Sequence, residues 1–217
     1  MPYDAETLTR EDAFEDATFD GLDLEGLDLS GKEFVRATFR RCKLTESVWR
    51  RATLEDCIFE DCDLTRSVVA WARFRDVVFT RSRLMGCDFT DVAKNPVVHF
   101  EGCDLRYISF VGTNLLKSRF VECRMVEANF IGCNLAESDF NGTILSGASF
   151  VDSDLTRADL STAVNAFVDP TRNKVKGLEI AVESAVLLAM SHGMRVLGHG
   201  KEIEADTPSP AKRARKR

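Results

Sequence analysis

Residues 34–64 read FVRATFRRCKLTESVWRRATLEDCIFEDCDL, and every fifth position carries a large apolar side chain: Phe34, Phe39, Leu44, Trp49, Leu54, Phe59 and Leu64. A period of five matches neither the 3.6-residue turn of an α-helix nor the two-residue alternation of a plain strand. Working outward, the series reaches back through Leu29, Leu24 and Phe19 to Phe14, and forward through Val69, Phe74, Phe79 and Leu84 to Phe89. After one extra residue it resumes at Phe100 and continues through Leu105, Phe110, Leu115, Phe120, Met125, Phe130, Leu135, Phe140, Leu145, Phe150 and Leu155 to Leu160. Fourteen of the fifteen phenylalanines lie on these two runs, so the period organises the core.

The position two residues before each large one is mostly small, as in Ala37, Cys42, Ser47, Ala52, Cys57 and Cys62, while the other three are mostly charged, polar or glycine. Two inward and three outward residues describe one short side of a coil, and four sides close a turn of about twenty residues. Phe19, Phe39, Phe59, Phe79, Phe100, Phe120 and Phe140 then form one column, with coils stacked at the strand spacing of about 4.8 Å. Phe14 to Leu160 makes about seven coils, a rod about 35 Å long. Asp12, Leu22, Leu27 and Lys32 break the small-residue rule, which predicts an irregular first coil; Val77, Val98 and Ile108 break it later.

The chain divides into a lead-in over 1–13, the repeat over 14–160, a connection and helix over 161–200, and a tail over 201–217. The repeat is interrupted at 90–99, TDVAKNPVVH, where two readings stand. One is a bulge that absorbs the extra residue, with Pro96 unable to donate to a ladder. The other is a protruding contact loop carrying Asp91, Lys94, Asn95 and Pro96. Further on, IAVESAVLLAMSHGM reads as a helix that Gly193 terminates after His192. Its apolar residues leave little polar face beyond Glu183, Ser184 and Ser191, so it needs cover on more than one side: the open end of the coil on one, a second copy on the other.

The chain has 217 residues, a net charge of −6 and no apolar run approaching a membrane span, and its first residues are acidic where a signal peptide is basic. Seven cysteines, an odd number without metal spacing, fit a reducing compartment, and a cytoplasmic protein is expected. All seven occupy the small inward position and read as inert buried thiols. His99, His192 and His199 lie in the bulge, at a helix end and near the tail, and no phosphate-loop or nucleophile-elbow motif appears. Carboxylate pairs are frequent but unspecific in a chain with 35 acidic residues. The expectation is therefore a non-enzyme with no catalytic residue, cofactor or metal.

Charge is uneven along the chain. Residues 1–30 hold ten acidic residues against one basic, residues 31–99 carry a net +3, residues 100–160 a net −4, and 211–217 add five cations. Outward charges can simply keep a rod soluble. Alternatively, regularly spaced carboxylates offer a basic groove what phosphates normally offer it. The polar tail, ADTPSPAKRARKR, is expected to be disordered. It reads as a solvated tail or, alternatively, as a segment that touches DNA phosphates, and direct nucleic-acid binding is not expected elsewhere.

The motif seen as Ala158-Asp159-Leu160, Ser153-Asp154-Leu155, Cys133-Asn134-Leu135 and Ala128-Asn129-Phe130 resembles that of the pentapeptide-repeat family. The resemblance covers about two thirds of the chain and implies an all-β fold, a right-handed quadrilateral β-helix, here with a C-terminal α-helix. Leu178 to Val186, with Ala189, His192-Gly193 and Leu197, is similar to the C-terminal helix of the gyrase-protecting subgroup. That subgroup comprises the mycobacterial fluoroquinolone-resistance type, the Qnr group and the albicidin and cystobactamid self-resistance proteins. The resemblance implies a homodimer through Val182, Val186, Leu187, Ala189 and Met190. It also implies an acidic, DNA-mimicking rod that protects DNA gyrase, or topoisomerase IV, from a poison and so confers antibiotic resistance. Glu127, Glu137, Asp139, Asp152, Asp154 and Asp159 are then the expected contacts. The two long loops of the plasmid Qnr group have no counterpart here, and the basic tail is a further departure. The competing expectation is an interaction scaffold with no topoisomerase partner.

Overall fold

The computed structural model describes residues 4–197. It is a four-sided parallel β-solenoid of about eight turns, entered through one short helix and closed by another. The strands are short, three residues in most cases, and each pairs in parallel register with the residue twenty positions on. Phe19 faces Phe39, Phe39 faces Phe59, and Phe59 faces Phe79 on the second side. Phe14, Phe34, Leu54 and Phe74 do the same on the first side. At the interruption the offset becomes twenty-one, so that Phe79 faces Phe100, and it returns to twenty at Phe100 and Phe120. One residue is absorbed, as a bulge absorbs it.

Inside, two phenylalanine columns carry the core. Phe39 and Phe59 stack with ring centroids 4.7 Å apart and 3° between planes, and Phe59 and Phe79 stack at 4.8 Å. The second-side column meets the fourth-side column edge to face, as where Phe120 approaches Phe130 at 5.9 Å and 79°. Offset-stacked and T-shaped pairs are the two geometries a π-quadrupole favours, so the columns use both at once. The small position is more than a matter of volume. The Cys57 thiol donates to the Phe34 carbonyl at 3.4 Å, the Ser82 hydroxyl to the Phe59 carbonyl at 3.2 Å, and the Ser153 hydroxyl to the Phe130 carbonyl at 3.0 Å. Cys, Ser and Thr therefore supply a buried donor to the coil above, which Ala cannot.

Most sides end in a corner where the residue two after the large one has a left-handed backbone: Arg36, Arg41, Glu46, Arg51, Asp56 and Asp61 in succession, at φ from 50° to 58°. That conformation costs a non-glycine residue about 1–3 kcal/mol. It persists because the corner N–H is spent on the next coil, as from Arg36 to the Glu55 carbonyl at 2.8 Å and from Asp56 to the Arg75 carbonyl at 2.9 Å.

The two ends differ from the sequence expectation. The lead-in contains a helix, α1 (Ala5–Arg10), capped by Asp4, whose carboxylate accepts from the Thr7 N–H at 2.8 Å. Its Leu8 is fully buried over the first coil. Lys32, one of the exceptions to the small-residue rule, is 6% exposed and donates to the Glu11 carbonyl at 2.6 Å, tying α1 to the coil. At the other end the solenoid does not stop at Leu160. One further coil carries Ala163, Ala166 and Val168 inward, and Asp159 and Leu160 pair with Glu179 and Ile180. The five-residue pattern fades there because Asn165 takes a corner early and proline interrupts the next side, while the backbone ladder continues. Helix α2 (Val182–Ser191) follows, with Gly193 left-handed at its end.

Because Phe59 stacks on both neighbours, Phe59→Ala should destabilise the rod by about 3–5 kcal/mol. Denaturant unfolding that moved by less than about 1 kcal/mol would place this side chain outside the stack.

Candidate partner-binding surface

The inward chemistry is closed. All seven cysteines are free and buried. Burial pushes Cys57 and Cys133 up to about 11 and Cys87 up to about 12. Cys62 and Cys123 are raised first by the thiol stacked against each, from Cys42 and Cys103, and then by burial. The same thiol contacts lower their partners, Cys42 and Cys103, so each stacked pair holds one raised and one lowered thiol. What closes all seven to reagents and ligands is burial, at 0–2% exposure. Among the described residues no His, Cys, Asp and Glu set is arranged to hold a metal ion, and no helix is long and apolar enough to cross a membrane. His99 is held below the usual imidazole range first by burial and then by Arg119. His199 and the basic tail lie outside the described residues.

What the fold offers is its outer surface, and the twenty-residue register decides its electrostatics. Residues of opposite charge stand over one another in successive coils. Arg36 pairs with Glu15 and Asp16, Arg41 with Asp20, Lys43 with Asp23 and Glu25, Arg66 with Glu46, and Arg81 with Glu60 and Asp61. The Arg36 and Arg81 guanidiniums hold Asp16 and Asp61 below the usual carboxylate range. Exposed pairs of this kind add little stability. Their consequence here is that four cations of the following coil, Lys32, Arg36, Arg41 and Lys43, offset part of the negative charge of the first thirty residues.

The six expected contact acids do not form one patch. Glu127 sits at the corner after the third side, diagonally across the rod from Glu137 at the corner after the first. Glu137 is ion-paired with Arg157 and Lys117, and the Arg157 bond holds its carboxyl below the usual range. Asp154 pairs with Lys174 at 3.3 Å. Three of the six also do structural work, accepting from the backbone N–H two residues on: Asp139 from Asn141 at 2.9 Å, Asp154 from Thr156 at 3.0 Å, and Asp159 from Ser161 at 2.9 Å. Asn134 fills the same role, accepting from Ala136 at 3.2 Å, which explains why the motif takes Asp or Asn before the large residue. Asp152 is exposed at the corner beside Asp154.

The structure does bring Asp139 and Asp159 together. They are in-register neighbours on the second side, Glu179 continues the row, and the Asn141 amide donates to both aspartates at 2.8 Å. Glu179 carries no sign in the sequence of belonging to this row, because the pattern that would number it fades after Leu160.

The bulge is held down more than a contact loop would be. Pro96 is buried, and Val97 donates to the Phe74 carbonyl at 3.1 Å, while Asp91, Lys94 and Asn95 are exposed. Of the expected contact set, Pro96 is thereby removed. On α2, Val182, Leu187 and Met190 are exposed, and Val186 and Ala189 are half-buried. Ser184, read from the sequence as part of the polar face, is instead the buried residue. It faces a 130 Å³ apolar cavity lined by Val168, Val175, Leu178, Ile180 and Leu188, so the helix keeps its bulkier apolar residues outward.

A family model described as a pentapeptide repeat region matches residues 32–97 and 93–163. Two trypsin-treated variants of QnrB1, a plasmid-mediated fluoroquinolone resistance protein, superpose with a TM-score of 0.66, at 25% and 24% identity, covering 85% of this chain and 90% of theirs. HetL, a pentapeptide-repeat protein involved in heterocyst differentiation regulation in the cyanobacterium Nostoc, superposes at 0.50 with 19% identity, covering 78% of this chain and 85% of its own. At that identity the likeness is one of fold. No curated protein matches the chain by sequence.

The buried thiols give a direct check on the inward assignment. Ellman's reagent should find none of the seven cysteines reactive in the native protein and all seven after unfolding; a rapidly reacting thiol in the folded state would contradict it.

Proposed function

The chain belongs to the pentapeptide-repeat family, and from that premise we propose that it is a non-enzymatic binding protein that docks on DNA gyrase and protects it from a topoisomerase poison. The likeness to a fluoroquinolone resistance protein over 85% of the chain carries this reading. The resemblance of the C-terminal helix to the gyrase-protecting subgroup supports it, and topoisomerase IV is the second enzyme it covers. The surface we assign to the contact is the second side of the C-terminal half, where Asp139, Asp159 and Glu179 repeat a negative charge about every 4.8 Å. A basic DNA-binding groove would receive that row as it receives phosphates. The cross-coil ion pairs favour one alternative, a scaffold without a topoisomerase partner, since they make the rod less of a uniform polyanion.

Gyrase supercoiling and cleavage-complex formation, titrated with this protein in the presence of a fluoroquinolone, test the reading. Supercoiling should recover and cleaved complexes should disappear. The variant Asp139→Asn/Asp159→Asn/Glu179→Gln removes charge while keeping the turn acceptors, and should weaken rescue roughly tenfold, about 1.4 kcal/mol. Neither rescue nor inhibition by the wild type would leave the scaffold standing, and rescue unchanged in the variant would reject the acidic row.

The same reading includes a homodimer through α2. Val182, Leu187 and Met190 are exposed on the helix, and Val164 and Phe167 are exposed on the coil that precedes it. Sedimentation should give twice the 24.3 kDa chain mass, and Leu187→Glu/Met190→Glu should give the chain mass alone. A wild type that sediments as a single chain at micromolar concentration would refute the dimer.

A further inference from the structure

The cross-coil pairing isolates an exception. From residue 4 to residue 90 every lysine and all but three arginines are in ion pairs, and the three without one are Arg50, Arg51 and Arg73. All three are exposed and belong to one edge of the rod, where the fourth side turns into the first. Arg51 occupies the corner directly over Trp71, donating its backbone N–H to the Ala70 carbonyl, and Arg73 follows two residues after Trp71. Arg51, Trp71, Arg73 and Ala93 line one cleft.

Trp71 is itself out of place. It is 59% exposed, whereas the other tryptophan, Trp49, is 1% exposed with its indole N–H bonded to Ser47 at 2.8 Å. It also holds a left-handed corner, φ 63°, a conformation that a bulky aromatic residue adopts only at a cost. Neither the core nor the corner calls for an indole there.

An adjoining cleft of about 430 Å³ runs from Trp71 under the bulge, lined by Thr90, Asp91, Lys94, Asn95 and Asn114. The Asn114 amide donates to the Asn95 carbonyl oxygen at 2.8 Å, a bond that does not use the Asn95 NH₂ group. The edge thus combines a flat aromatic face, three guanidiniums outside any contact ion pair, and a polar cleft that offers both donors and, at Asp91, a carboxylate acceptor. A polyanion with acceptors alone would match the arginines and be repelled by Asp91. A chain of planar rings that carry hydrogen-bond donors, linked by phosphates, matches all three elements.

We propose that this edge binds single-stranded nucleic acid, with a base stacked on Trp71, phosphates on Arg50, Arg51 and Arg73, and an adjacent base edge in the cleft beneath the bulge. The site is separate from the acidic second side and does not depend on a topoisomerase partner.

The test uses the full-length protein and a single-stranded oligothymidylate of roughly twelve nucleotides. Because Trp49 is sealed in the core, changes in intrinsic fluorescence report on Trp71, and titration should quench its emission saturably. Three phosphate contacts predict that log K falls with log salt at a slope of about −2. In anisotropy with a labelled oligonucleotide, Trp71→Ala should weaken binding roughly 5- to 100-fold, and Arg51→Glu/Arg73→Glu should weaken it further. All three side chains are exposed, so the variants should keep the wild-type melting temperature. Polyglutamate of matched charge should not compete. No quenching, or competition by polyglutamate at equal concentration, overturns the proposal, the latter in favour of an acidic protein segment. Binding that survives both variants unchanged also overturns it and assigns the nucleic acid to the basic tail.

Discussion

A coil of twenty residues can be stable only if the next coil lies on it in register, because a single turn of three-residue strands buries too little to fold alone. The constraint is the backbone ladder between residues n and n + 20, and the side chains are selected to be compatible with it. Large residues repeat in place so that rings stack at the spacing the ladder sets, and the small position carries Cys, Ser or Thr where a coil's carbonyl needs a donor. The corners pay the conformational cost of a left-handed residue and recover it through an N–H given to the neighbouring coil.

The same register governs the exterior. Any two outward residues twenty apart become neighbours, so charge is sorted by coil rather than by position along the chain. The acidic first coil meets the basic second, and carboxylates of the first stand in ion pairs with Arg36, Arg41 and Lys43 of the second. Two departures stand out against that background: a row of like-charged carboxylates on the second side near the C-terminal end, and three unpaired arginines around an exposed indole on the opposite half. Like charges stacked in a ladder are unfavourable, and an exposed tryptophan in a left-handed corner is strained. Turn bonds and the shared Asn141 amide account for an acceptor at Asp139 and Asp159 but not for its charge, and nothing in the solenoid accounts for the indole at Trp71.

The ends of the rod are where the sequence was least legible. The α1 helix rests on a cap, Asp4, and one buried residue, Leu8, too short a signal to separate from a polar lead-in. The last coil loses its apolar period while keeping its hydrogen bonds, and a backbone ladder leaves no trace in side-chain pattern. The helix α2 was visible by composition, but its orientation was not. Ser184 faces inward because the cavity over Val168 and Ile180 leaves room for a small side chain at that point, and the bulkier Leu187 and Met190 turn outward.

Period and residue size alone determined the solenoid, the side count, the burial of every cysteine and the place of the interruption at 90–99, since a repeat that must stack on itself admits few geometries. Which acids stand free, which serve as turn acceptors and which are neutralised could be decided only in three dimensions. An Asp before a large residue has the same place in the pattern whether it meets a lysine, an asparagine or another carboxylate. That meeting depends on what lies one coil away and around the corner, a relation across twenty residues that no local stretch of sequence contains.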